Sequence, residues 1–239
     1  MGSPDAYYRV LKRHGLIRKV KVLGFPAGKQ YHLQNRRVNE QWQSDASYFF
    51  VVGWGWYYLI SVLDDYSRMI LAWQLKTDMT TASISDVVQQ AVEWTGMNDV
   101  PVKDRSRLLT DNGSGYLAHA FEDYLQMLAI RHIRCSPHHP QTNGKIERFH
   151  ETLKSRVNLL IYTGPEELRR AIGKFIEFCN YCRYHEGIGN VTPADVYHQR
   201  RQAILHRRAE QKRITFGERL RDNRSRLLTS RSGDLWSAV

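Results

Sequence analysis

Residues 106–136, SRLLTDNGSGYLAHAFEDYLQMLAIRHIRCS, decide how the rest of the chain must be arranged. SRLLT (106–110) is a short apolar strand that runs into Asp111-Asn112-Gly113, YLAHAFEDYLQMLAI (116–130) is patterned as a helix, and IRHIRCS (130–136) is a second strand. Strand, helix, strand favours parallel pairing, because the intervening helix carries the chain back across the sheet. Upstream the pattern changes. WQSDASYFFVV (42–52), WYYLISVL (56–63) and MILAWQLK (69–76) are rich in Val, Ile and aromatic residues, and the segments between them are short. Gly53-Trp54-Gly55 reads as a tight turn and Asp64-Asp65-Tyr66-Ser67-Arg68 as a polar one, so these three strands form an antiparallel meander. TTASISDVVQQAVEWTG (80–96) supplies a helix, with Thr80 or Thr81 as its cap, Ile84, Val87, Val88 and Ala91 on one face, and Gly96 as its stop. The expected fold is α/β: a five-stranded mixed sheet, antiparallel meander then parallel strands, flanked by helices.

After the loop SPHHPQTNG (136–144), a helix is expected from about Asn143 to Tyr162 and another from about Pro165 to Tyr184. Ile146, Phe149, Leu153, Val157 and Leu160 step by three or four residues and predict the face that packs on the sheet. Glu147, Glu151 and Lys154 form a neighbouring stripe, about 100° around the axis.

The 35 Lys and Arg outnumber the 24 acids, a net charge of +11, and such a field concentrates polyanions, with nucleic acid the leading class. The Arg-dense end, QRRQAILHRRAEQKRITFGERLRDNRSRLLTSR (199–231), reads as a phosphate-binding arm or a solvated, poorly ordered tail. Three cysteines give no disulfide framework, and the Cys179-Asn-Tyr-Cys182 pair stands alone without a second ligand pair for zinc. A reducing cytoplasm is expected. The apolar run YFFVVGWGWYYLISVL (48–63) falls short of the roughly eighteen residues of a spanning helix, and its glycines read as a hairpin turn, so no membrane partner is expected.

Three acids stand out by context. Asp111 closes an apolar strand at the point where open α/β sheets bind ligands, although an ordinary Asp-Asn-Gly turn would also place it there. Glu147 lies in the first helical turn after the loop, with 35 residues between it and Asp111, and the helix dipole alone would favour a Glu at that position. A site for two divalent cations needs a further carboxylate. Asp64 and Asp65 fall in a turn, where Asp bonds locally, whereas Asp45 falls inside a strand beside aromatic residues and is the better candidate.

With these residues in view, the chain from about 40 to 198 resembles the catalytic core of the retroviral-integrase-like DDE transposases of bacterial insertion sequences, within the ribonuclease H-like superfamily. The resemblance rests on WQSDAS, YYLISVLDDYSRMILAW, LLTDNGSGY, SPHHPQTNGKIERFHETLKSR and FCNYCRYHEGIGNVTPADVY. It implies that Asp45, Asp111 and Glu147 form a catalytic triad holding Mg²⁺, or Mn²⁺, in a two-metal site, and that no small-molecule cofactor is used. It also implies that Lys154 contacts DNA near the element end. The loop residues His138, His139, Gln141, Asn143 and Lys145, together with Arg148, are expected at the DNA backbone, and Asn112 is expected to orient Asp111 or the DNA. YYRVLKRHGLIRK (7–19) resembles the end of a helix-turn-helix region whose preceding helices are missing, so an autonomous DNA-reading domain is not expected.

Three segments follow: 1–38, a basic lead and linker; 39–198, the ribonuclease H-like core; and 199–239, a basic tail. The implied activity is metal-dependent phosphodiester hydrolysis at element ends, followed by strand transfer of the 3′-hydroxyl into target DNA by a homo-oligomer in the bacterial cytoplasm, associated with the nucleoid. A same-fold nuclease that never joins, or a non-catalytic DNA-binding relic, are the alternatives. Tyrosine recombination is not supported, since His198-x-x-Arg201 stands without a basic array around a Tyr.

Overall fold

The computed structural model describes residues 35–135 and 143–233, with side chains through 224, together with Val10 and Arg13. Contacts divide the chain into two units, Met1–His32 and Leu33–Val239, and every element named below belongs to the second. Most of 7–19 lies outside the described residues, as do His138, His139 and Gln141; Val10 and Arg13 are helical.

The strands are β1 (Gln41–Val51), β2 (Gly55–Asp64), β3 (Ile70–Lys76), β4 (Arg107–Thr110) and β5 (Arg131–Arg134), in the spatial order β3-β2-β1-β4-β5. β1 pairs antiparallel with β2, and β2 with β3. β1 and β4 pair in parallel, as do β4 and β5. The expected mixed sheet is therefore present. Its hairpin turn needs glycine, since Gly53 and Gly55 take φ of 79° and 92°, a region that side chains resist.

The α-helices described in the second unit are α1 (Thr81–Thr95), α2 (Ser114–Leu117), α3 (His119–Met127), α4 (Gly144–Val157), α5 (Pro165–Tyr181), α6 (Pro193–Tyr197) and α7 (Arg201–Gly233). Alternation along the strands divides the apolar side chains between two faces. Trp42, Ile60 and Val62 meet Ile84, Val88 and Phe121 of α1 and α3. Phe49, Val51, Leu59 and Leu63 meet Ile146, Leu153 and Val157 of α4, and Leu168, Ile172 and Ile176 of α5.

Helix boundaries were the least legible feature. The single helix expected over 116–130 is two, α2 and α3, broken at Ala118 in an extended conformation (φ −65°, ψ 136°). α4 stops at Val157 instead of near Tyr162, where Tyr162 Oη donates to the Val157 carbonyl at 2.7 Å. Leu160, expected on the buried face, is consequently 63% exposed. α5 ends at Tyr181 rather than Tyr184.

The Thr-Pro of the closing motif starts α6: Thr192 Oγ1 accepts from Asp195 N at 3.1 Å and Pro193 occupies the first turn. Within the basic end, Arg201–Gly233 form a 33-residue helix. Its root is anchored where Ile204 and Leu205 pack on Ile188, Val191 and Val196.

Candidate active site on the sheet

Ser44 and Thr110 form the last parallel rung between β1 and β4. The residue after this rung on each chain segment is an acid, so Asp45 in β1 and Asp111 just past the end of β4 follow neighbouring strands at the same level. Here β4 ends while β1 runs on to Val51 beside β2. Asp45 is therefore a mid-strand acid on a sheet edge that opens at its own position.

The turn after β4 fixes Asp111. Gly113 N–H donates to Asp111 Oδ1 at 3.0 Å, and a Cβ on Gly113 would lie 3.1 Å from that oxygen. The Asn112 amide nitrogen donates to the Cys135 carbonyl at 2.9 Å, tying this turn to the end of β5. Gly115 is needed for close packing, since a Cβ there would come within 2.6 Å of the Met79 carbonyl oxygen and the Ile84 side chain. The buried Tyr116 hydroxyl meets Ser44 Oγ at 2.9 Å, on the face of β1 opposite to Asp45.

Glu147 arrives on α4, whose first turn is docked on β1 where Ile146 N–H donates to Gln43 Oε1 at 3.1 Å. One turn later the buried His150 lies between two strands: its Nε2 is 2.8 Å from Ser61 Oγ and its Nδ1 is 3.3 Å from Asp45 Oδ2. Sequence reasoning passed over His150. The available signal was a polar ring three residues after Glu147, between the apolar positions Phe149 and Leu153.

The acids sense one another. The Asp111 carboxyl is pushed above the usual carboxylate range by burial, against the Gly113 hydrogen bond and with help from the charge of Asp45. Glu147 is pushed up by partial burial first, then by the charges of Asp45, Glu151 and Asp111, against His150. Asp64 and Asp65 are committed elsewhere. Asp64 is buried and accepts from Ser67 N, Ser67 Oγ and Asn39 N at 2.6 to 2.8 Å, while Asp65 accepts from Gln43 Nε2 at 2.7 Å and pairs with Lys145 Nζ at 2.5 Å.

Three carboxylates are hard oxygen donors of the kind Mg²⁺ and Mn²⁺ take, and their mutual repulsion is charge that a cation would cancel. Among the described residues no group of three His, Cys, Asp or Glu side chains is already gathered closely enough to hold a metal. The donor set fits a divalent cation in chemistry, with Asp45 Oδ2 turned towards His150.

The residues expected at DNA divide. Lys154 Nζ stands 4.2 Å from the centre of the Tyr48 ring, beside the exposed aromatics Phe50 and Trp56. Arg148 is exposed. Lys145 is engaged by Asp65, and Asn143 is buried with neither amide atom hydrogen-bonded. Among the described residues no disulfide joins the three cysteines; Cys135 and Cys179 are buried and Cys182 is exposed. No helix among the described residues is long and apolar enough to cross a membrane.

Two integrase core domain models match the chain, one over residues 35–140 and the other over 128–193, and between them they take in Asp45, Asp111 and Glu147. The chain belongs to the integrase core family. This integrase-core chain is 28% identical over 199 residues to the putative transposase InsD for insertion element IS2E of Escherichia coli (strain K12), covering 81% of this chain and 90% of that one. A 122-residue stretch is 33% identical to the Gag-Pro-Pol polyprotein of squirrel monkey retrovirus, covering 51% of this chain. The match spans only 6% of that polyprotein, and 65% of the transposase InsD for IS2A/D/F/H/I/K of Escherichia coli.

Solved structures place the integrase-core fold beyond the sheet topology alone. The HTLV-2 integrase catalytic core domain in complex with magnesium superposes with a TM-score of 0.55 at 21% identity, over 69% of this chain and all of that one. The BIV integrase catalytic core superposes at 0.51 and 23% identity, over 70% and 99% respectively. The fold is ribonuclease H-like, as the sequence led one to expect.

Proposed function

We propose that this integrase-core chain is a DNA transposase that hydrolyses a phosphodiester at element ends and joins the freed 3′-hydroxyl to target DNA, with Asp45, Asp111 and Glu147 as its catalytic carboxylates. The observation that carries the reading is the placement of Asp45 and Asp111 one step past the Ser44–Thr110 rung, with Glu147 close enough to feel both charges. The likeness to InsD transposases and to a magnesium-bound integrase core supports it.

Asp45, Asp111 and Glu147 would hold Mg²⁺ or Mn²⁺, two ions in the full site. When bound, such ions supply Lewis-acid activation of a water or 3′-hydroxyl and neutralise charge on the leaving oxygen. The protein's own part is positional. β1 and β4 hold two carboxylates side by side, α4 brings the third, and His150 fixes the Asp45 side chain between β1 and β2. Lys154, on the same stripe of α4 as Glu147, meets the DNA backbone with its ammonium resting on Tyr48. Arg148 meets a neighbouring phosphate. The enzyme works as a homo-oligomer on DNA in the bacterial cytoplasm, with residues 1–38 as a basic lead, 39–198 as the core and 199–239 as a basic arm.

The test uses Asp111→Asn and Glu147→Gln with a supercoiled plasmid and labelled element ends, in Mg²⁺ or Mn²⁺. Both variants should lose nicking and joining. Retention of both at wild-type rates would overturn the assignment, and nicking without joining by the wild-type protein would leave only a nuclease.

A further inference from the structure

A second basic group lies on another flank of α4. Arg68 of the β2–β3 turn, Lys145 and Arg148 of α4, and Arg183 and His185 of the segment after α5 line one cavity of ≈ 560 Å³. On the helix, Lys145, Arg148 and Thr152 form a stripe at i, i+3 and i+7, distinct from the stripe of Glu147, Glu151 and Lys154.

The charges in this cavity are only partly met by the protein. Asp65 pairs with Lys145 and reaches Arg68 at 4.0 Å. Arg148 and Arg183 have no carboxylate within ion-pair distance among the described residues. His185 Nδ1 is buried and makes no hydrogen bond. Its imidazole is pushed below the usual range by burial and then by Arg68, Arg183 and Arg148, with Glu186 acting weakly the other way. Two guanidinium forks without a carboxylate partner, one of them (Arg183) bonded to the Cys179 side chain, and an imidazole whose Nδ1 donates in its Nδ1–H tautomer surround one space and offer the donors that a tetrahedral, multiply charged oxyanion satisfies.

We propose that this cavity is a phosphate-binding site for the DNA backbone, separate from the carboxylates, so that α4 lies between two phosphate positions. The proposal rests on the reading of the chain as an enzyme acting on DNA, because its net charge of +11 and the adjacency of Glu147 and Arg148 make a nucleic-acid strand running along α4 the occupant. Thr152 Oγ1 donates to the Arg148 carbonyl at 2.8 Å, so this flank of the helix has an organised side chain beside the charges.

The test is duplex binding by the whole protein in EDTA, read by fluorescence anisotropy over a series of salt concentrations, which keeps it independent of catalysis. In Arg148→Gln/Arg183→Gln, affinity should fall and the slope of log K against log salt should shrink by about one to two contacts, at roughly 0.9 per phosphate. Lys174→Gln, on exposed α5, should change neither. If the double variant matches wild type in affinity and slope, or if Lys174→Gln loses as much, the site is refuted while the functional reading stands. Absence of any duplex binding by wild type would remove both. Should the double variant fail to fold, the His185 ring resonances of the wild-type protein decide. They should shift as duplex is added, and their constancy at saturation, or an equal shift with inorganic phosphate that duplex does not displace, refutes DNA as the occupant.

Discussion

His150 Nδ1 lies 3.3 Å from Asp45 Oδ2, and the opposite ring nitrogen is 2.8 Å from Ser61 on the next strand. One imidazole thus sets the direction of a carboxylate from outside the group of acids. Replacing His150 with Ala should lower the apparent affinity for Mg²⁺ about tenfold to a hundredfold, the usual effect of removing a partner that orients a ligand, while Lys154-dependent DNA binding in EDTA is retained. A metal titration of nicking with the same midpoint in both proteins would show that His150 is only a packing residue.

The raised Asp111 carboxyl has a signed consequence for stability. A carboxyl whose folded value lies above its unfolded value of about 3.9 binds its proton more tightly in the native state. Stability therefore falls as pH rises through the window between the two values, and the loss persists above it. Asp111→Asn should be more stable than wild type near neutral pH in EDTA, and that advantage should vanish in acid below the window. Urea unfolding across pH checks this; an advantage independent of pH would assign it to something other than ionisation.

Gly115 offers a purely steric prediction. A methyl group there would meet the Met79 carbonyl oxygen and the Ile84 side chain at 2.6 Å, and backbone oxygen cannot swing aside as a side-chain tip can. Gly115→Ala should cost about 1–3 kcal/mol, as overpacking does. Gly144→Ala, whose added atom meets nothing, serves as the control by thermal melting.

Asn180 holds the edge strand. Its side chain accepts from Ile70 N at 3.0 Å and donates to Ile70 O at 2.9 Å, so α5 supplies β3 with the hydrogen bonds that a further strand would otherwise give. Asn180→Leu fills similar volume and leaves two buried backbone groups unpaired, at about 1–3 kcal/mol each. Chemical denaturation should show a loss of that size, and an unchanged midpoint would mean that water replaces the amide.

The amino-acid sequence by itself determined the order and type of the strands, the turns at Gly53-Trp54-Gly55 and Asp64–Arg68, the capped helix over Thr81–Thr95, and the pairing of an acid at a strand end with one at a helix start. These are local matters of side-chain period, glycine conformation and capping, readable within a few residues. Helix ends were less legible, because α2 stops at Ala118 and α4 at Val157 with no Gly or Pro there to mark the stop. What only the tertiary structure decided is lateral. The parallel register of β1 and β4 sets Asp45 beside Asp111 across 66 positions of chain, His150 finds Asp45 and Ser61, and Asp65 captures Lys145. Such pairings depend on which strands become neighbours and on where α4 docks, and no local pattern encodes either: they arise when apolar faces of distant segments are buried together.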